Sequence, residues 1–116
     1  MMEELHTLEQ AEQAVREHQG VLLYFSSEDC SVCKVLKPKV IHAIEADYPE
    51  MKLYFVDIQA TPRISAHYSV YTLPAIIVFL EGKEFIRKAR SFSPAELVQE
   101  IQRPWQLMTE NEEPHP

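Results

Sequence analysis

Cys30 and Cys33 are the two cysteines of this chain, and only Ser31 and Val32 separate them. An apolar run, residues 21–25, precedes the pair, and a helix-forming stretch begins just after it. This spacing at a helix start brings two sulfurs within disulfide reach, and the helix N–H groups there favour a thiolate at the first cysteine. Because the thiolate is the nucleophilic form of cysteine, the arrangement predicts dithiol–disulfide chemistry.

The same cysteine spacing is compatible with other kinds of site. It supplies half of a zinc site, whose remaining ligands would have to come from a second copy of the chain. Neither His42, nine residues beyond Cys33, nor His67, in a separate predicted helix, has ligand spacing to the cysteines. Two inert core cysteines are a further alternative, which a surface position at a helix start disfavours. We expect no metal, and no cofactor besides the disulfide itself.

Charged residues beside the pair act on the Cys30 thiol in opposite directions. Lys34 and the helix N-terminus lower its pKa, whereas Glu28 and Asp29 raise it. The sequence therefore leaves the net shift of the Cys30 pKa open.

Composition limits the classes of function. A chain of 116 residues with 46% apolar content fits one domain with its own core. A net charge of −7 disfavours binding to nucleic acids and anionic membranes, which are themselves negatively charged. Residues 1–4 lack the basic start of a signal peptide, so we expect a cytoplasmic protein. In that compartment a lone cysteine pair is more often catalytic or metal-binding than structural.

Apolar periodicity and turn residues predict an α/β domain. The predicted elements are a helix from Thr7 to near Gly20, a strand at 21–25, a Pro38-interrupted helix at about 33–48, a strand at 52–58, a short helix at about 62–68, strands at 75–80 and 84–90, and a last helix from Ser93 to near Arg103. We assign residues 1–103 to the domain. We predict that residues 104–116 form an acidic, proline-containing tail that is flexible at its end.

Three motifs recur in this order in a known family. They are Cys30-Ser31-Val32-Cys33-Lys34, a proline five residues after the second cysteine, and Thr72-Leu73-Pro74 immediately before an apolar strand. With the predicted elements, they make the chain resemble the thioredoxins over about residues 5–103. The resemblance implies the thioredoxin fold, a central mixed β-sheet flanked by helices in the order β-α-β-α-β-α-β-β-α.

The resemblance also implies roles for individual residues. Cys30 would attack a substrate disulfide and Cys33 would resolve the mixed disulfide. Pro74 would be a cis-proline beside the cysteines, and the backbone of Leu73 would bind the substrate. The residues between the cysteines, Ser31 and Val32, would contribute to the recognition surface.

These roles are those of a protein-disulfide reductase. Its expected partners are client proteins with disulfides and an electron donor, either a reductase or a low-molecular-weight thiol. No nucleic acid or membrane is expected among the partners, and we expect a monomer.

The chain departs from the family pattern at positions near the cysteines. Tyr24 aligns with the family's buried acid, and Phe55 aligns with the lysine beside that acid. Asp29 replaces the tryptophan before the first cysteine, and Ser31-Val32 replaces the usual Gly-Pro between the cysteines, which makes the Cys-Ser-Val-Cys motif atypical. Arg90 stands where a glycine is common. Proton transfer and the recognition surface are therefore expected to differ. A binding or redox-sensing module with little reductase activity remains the alternative function.

Overall fold

The computed structural model describes residues 1–110, which form a mixed sheet between two layers of helices. The elements are β1 (Met2–Glu4), α1 (Leu8–Glu17), β2 (Gly20–Ser26), α2 (Ser31–Asp47), β3 (Lys52–Asp57), α3 (Pro62–His67), β4 (Ala75–Leu80), β5 (Lys83–Ala89) and α4 (Pro94–Glu110). The predicted order of elements is confirmed. Within the described residues, no helix has the length and apolar character needed to span a bilayer.

The sheet has the strand order β1-β3-β2-β4-β5. The central strand β2 runs parallel to β3 and antiparallel to β4. Residues 21–25 of β2 are fully buried because helices cover both faces of the sheet, which explains an apolar run without alternation. The loop that leaves β2 towards the cysteines therefore starts at the centre of the sheet.

Helix α2 begins at Ser31, two or three residues earlier than predicted. Cys30 is its N-cap residue, and the Cys30 Sγ accepts a hydrogen bond of 3.2 Å from the Cys33 N–H. This bond gives a partner to one of the N–H groups that a helix start leaves without one. The first cysteine thus lies at the helix end, and the second lies within the first turn.

Helix α4 continues to Glu110, so the predicted end near Arg103 is wrong. Pro104 lies inside the helix, but the residues after it pack on the domain. The Trp105 ring lies 5.3 Å from the Tyr48 ring between centroids, and Met108 is buried. These contacts stabilise the last two turns despite the donor that proline lacks. The predicted flexible end of the tail, residues 111–116, lies outside the described residues.

Candidate active site

Cys30 and Cys33 form a disulfide, with Cα atoms 5.2 Å apart. This pairing confirms that the spacing at the start of α2 brings the two sulfurs together. Cys33 is buried, with 1% of its surface exposed, whereas Cys30 is only partly buried. Ser31 and Val32 between them are exposed. A reagent arriving from solvent therefore meets Cys30 before Cys33.

The Leu73–Pro74 segment lies at the same edge of the sheet as the end of β2. Ala75, the next residue, pairs with Phe25, and the Leu73–Pro74 peptide bond is cis. The Pro74 carbonyl accepts a hydrogen bond of 2.9 Å from the Arg90 N–H. Within residues 1–110, the Leu73 N–H and carbonyl make no hydrogen bond. One backbone donor and one acceptor thus stay available at this edge.

Tyr24 lies beneath the first turn of α2. Its side chain is fully buried, and its hydroxyl donates a hydrogen bond of 2.7 Å to the Cys33 carbonyl oxygen. Burial raises the pKa of Tyr24 to about 12. At neutral pH the phenol therefore keeps its proton and acts as a donor. It cannot take a proton from Cys33 as a carboxylate could.

The charged residues around the disulfide make exposed contacts. The Lys34 ammonium lies 3.5 Å from a Glu28 carboxylate oxygen, and both side chains are exposed. The Asp29 carboxylate accepts a hydrogen bond of 3.1 Å from the Gln59 side-chain amide. Exposed ion pairs contribute little to stability. The Lys34–Glu28 pair nevertheless places opposite charges side by side next to Cys30. Among residues 1–110 there is no cluster of three or more potential metal ligands.

Lys37 is a site residue that the sequence interpretation missed. Its ammonium lies over the Phe55 ring, 3.4 Å from the ring centroid. Phe55 in turn pairs with Tyr24 across β2 and β3. The sequence could have indicated Lys37 by its spacing from Cys33. Lys37 is four residues after Cys33 and so lies on the same face of α2.

A disulfide between a partly exposed and a buried cysteine, at a helix start, can accept two electrons and return them as a dithiol. Fold and site together place this protein among the thiol–disulfide oxidoreductases.

Comparison with known proteins identifies the family. The thioredoxin family model matches residues 3–103. Thioredoxin-like protein YdfQ of Bacillus subtilis is 28% identical over 103 residues, which cover 89% of this chain and 91% of that protein. Thioredoxin of Chlamydia trachomatis is 42% identical over 67 residues, which cover 58% of this chain and 65% of that protein. The chain belongs to the thioredoxin family.

Solved structures show the same fold. The crystal structure of thioredoxin from Trypanosoma brucei brucei superimposes with a TM-score of 0.80 at 21% identity, covering 91% of this chain and 92% of that one. Oxidised mitochondrial thioredoxin 3 from Saccharomyces cerevisiae gives a TM-score of 0.78 at 20% identity, covering 87% and 93%. With family, fold and cysteine pair in agreement, the protein is a thiol–disulfide oxidoreductase whose redox-active centre is the Cys30–Cys33 disulfide.

Proposed function

We propose that this protein reduces disulfides in partner proteins, with Cys30 as the nucleophile and Cys33 as the resolving thiol. The observation that carries the proposal is the difference in exposure, since Cys33 is 1% exposed and Cys30 is partly exposed. A bulky protein disulfide reaches only the outer sulfur. The inner sulfur is held beside it and attacks only after a mixed disulfide has formed.

The reaction consists of two exchanges. The Cys30 thiolate attacks one sulfur of the client disulfide, and the other client sulfur leaves as a thiolate. Cys33 then loses its proton and attacks the Cys30 sulfur, which breaks the mixed disulfide and releases the second client thiolate. The client gains two electrons, and the Cys30–Cys33 disulfide forms. A reductase or a low-molecular-weight thiol then returns two electrons to the pair.

Leu73 supplies the binding site for the client backbone. Its N–H and carbonyl, unpaired within residues 1–110, can pair with an extended client segment as a short strand would. Pro74 has no N–H and so offers no competing donor there. Exposed apolar side chains, Val32 (60% exposed) and Tyr71 (82% exposed), flank this edge and suit the apolar residues of a client. Ser31 completes the surface between the cysteines.

The cytoplasm is the compartment that fits this activity. A reducing environment keeps a dithiol available for exchange, and the acidic chain, with a net charge of −7, does not favour nucleic acid or anionic membranes. We propose that the protein acts as a monomer, because the exposed edge around Cys30 must stay open to clients.

Trapping tests the assignment of roles. Cys33→Ser should accumulate a disulfide-linked complex with a disulfide-containing client such as insulin, visible by non-reducing electrophoresis and mass spectrometry. Cys30→Ser is the matched control and should form none, and the wild type should precipitate insulin chains in dithiothreitol. Equal trapping by the two variants would contradict the assignment. A wild type that does not accelerate insulin reduction would instead favour a binding or sensing module.

A further inference from the structure

A small pocket of about 200 Å³ opens beside the buried Cys33. It lies between the first turns of α2 and the ends of β1 and β3. The thiol and the charged groups of its lining are Glu4, Glu28, Cys33, Lys34, Lys37 and Asp57. Glu28 and Lys34 are exposed at its mouth, so the pocket is continuous with solvent. Cys33, which otherwise packs in the apolar core, thus shares this pocket with charged side chains.

Lys37 lines this pocket together with Cys33. In a helix, residues four apart have Cβ atoms about 5–6 Å apart, and long side chains lean towards the helix N-terminus, here towards Cys33. The contact with the Phe55 ring holds the ammonium against the sheet instead of in bulk solvent. Lys37 is itself partly buried, which strengthens its electrostatic effect on a neighbouring group.

Lys37 differs from Lys34, the other cation of the pocket. Lys34 pairs with Glu28, which offsets its charge. Within residues 1–110, no carboxylate oxygen lies within 4.0 Å of the Lys37 ammonium. Its charge is therefore available to a thiolate that forms at Cys33.

The other groups around Cys33 do not favour its thiolate. Tyr24 is a neutral phenol near neutral pH, because burial raises its pKa to about 12. Glu4 and Asp57 line the pocket as carboxylates, and their negative charge raises the pKa of a nearby thiol. While Cys30 is held in the mixed disulfide, the free Cys33 thiol thus has one unpaired cation among the described residues, Lys37, to stabilise its ionised form.

We propose that Lys37 stabilises the Cys33 thiolate during resolution and that the pocket is the route by which the Cys33 proton leaves. The inference rests on the proposed role of Cys33 as resolving thiol. In this step the Cys33 S–H proton passes to water in the pocket, and the resulting thiolate attacks the Cys30 sulfur. The client thiolate then leaves and takes its proton from solvent. Lys37 is an electrostatic positioning residue that exchanges no electrons or protons.

The test isolates the Cys33 thiol. In a Cys30→Ser background, Cys33 is the single thiol, and its ionisation can be followed by the ultraviolet absorbance of the thiolate against pH. Lys37→Gln should raise the Cys33 pKa by about one pH unit, because an ammonium near a thiol favours the charged form. Lys37→Arg keeps the positive charge, so the Cys33 pKa in that variant should stay close to its value with Lys37 in place.

Lys39→Gln is the matched control. It removes the same charge from the same helix at an exposed position that does not line the pocket. Urea unfolding confirms that each variant is folded over the pH range used. A Lys37→Gln shift no larger than the Lys39→Gln shift would overturn the proposal.

A kinetic measurement separates this inference from the proposed function. With both cysteines present, the mixed disulfide between Cys30 and a chromogenic aromatic thiol should decay more slowly in Lys37→Gln at neutral pH, and the two proteins should converge at high pH. If Cys33→Ser does not stop the decay, the resolving role of Cys33 itself is wrong. If the decay needs Cys33 but is unaffected by Lys37→Gln at every pH, only the role of Lys37 is wrong.

Discussion

The Tyr24 hydroxyl donates a hydrogen bond of 2.7 Å to the Cys33 carbonyl oxygen. This bond ties the central strand to the first turn of α2, at the residue that carries the inner sulfur. Both partners are buried, so neither has water as an alternative partner. At the position where the family resemblance places a buried acid, this chain thus has a tyrosine whose hydroxyl donates a structural hydrogen bond.

Tyr24→Phe should lower the free energy of unfolding by about 1–2 kcal/mol, because it removes a buried hydrogen bond while keeping the ring. Urea unfolding followed by circular dichroism measures the change. Tyr54→Phe is the control, since the Tyr54 hydroxyl makes no side-chain hydrogen bond within residues 1–110. Equal effects of the two substitutions would show that the bond to Cys33 adds nothing to stability.

The same tyrosine should make stability depend on pH at the alkaline end. The phenol pKa is about 10 in the unfolded chain and about 12 in the folded protein. Above pH ~10 the unfolded state loses the proton first, so the contribution of Tyr24 to stability is complete below that pH and declines towards pH ~12. Over this pH range the contribution of Tyr24 to the free energy of unfolding falls by about 3 kcal/mol.

Comparing the wild type with Tyr24→Phe isolates this contribution. Burial also raises the pKa of Tyr48, Tyr54 and Tyr68, but these groups are present in both proteins. Urea unfolding at several pH values should show the stability of the wild type falling relative to the variant above pH ~10. A difference that stays constant with pH would contradict the prediction.

Tyr24→Asp places a carboxylate beside the Cys33 turn and gives the thiol a direct proton acceptor. We expect faster decay of the mixed disulfide near neutral pH, together with a stability loss of about 2–5 kcal/mol from lost packing and a buried polar group. Stopped-flow single-turnover decay measures the rate. Tyr24→Asn matches the aspartate in size but not in charge, and an equal rate in both variants would exclude direct proton transfer.

Gly20→Ala should destabilise the protein by about 1–3 kcal/mol through overpacking. A Cβ atom at Gly20 would lie 2.5 Å from Trp105 Cζ3, so the indole ring would have to move. The fluorescence of Trp105, the single tryptophan, reports that movement. Gly82→Ala is the control, because its Cβ meets no atom within 4 Å and only the positive φ of 80° opposes it. Unchanged fluorescence and stability in Gly20→Ala would contradict the packing of α4 on β2.

Arg90 has a φ angle of 70°, which lies in the left-handed region that favours glycine. Arg90→Gly should leave stability unchanged or raise it by up to about 1 kcal/mol, whereas the β-branched Arg90→Val should lower it by more than ~1 kcal/mol. Thermal unfolding compares the two. If valine is tolerated as well as glycine, the backbone at this position adapts without strain.

Local patterns in the sequence predicted the cysteine pair and the elements from α1 onward, whereas β1 (Met2–Glu4) was expected only from the family resemblance. The buried run of β2, the short helix begun by Pro62, and the turn at Glu81-Gly82 are each encoded by neighbouring residues. The disulfide was predictable for the same reason, because two cysteines one helical turn apart need no distant element to meet.

Contacts between distant segments depend on the tertiary structure and could not be predicted from local patterns. Pro104 predicts a helix end locally, yet α4 continues because Trp105 packs on Tyr48 and Gly20, which are far away in sequence. The ammonium of Lys37 meets the Phe55 ring only because β3 lies beside β2 beneath α2. Local propensity depends on a few adjacent residues, whereas these contacts depend on which strands pair and which faces the helices cover. For that reason the cysteine pair could be identified from the sequence, and the groups that act on its inner thiol could not.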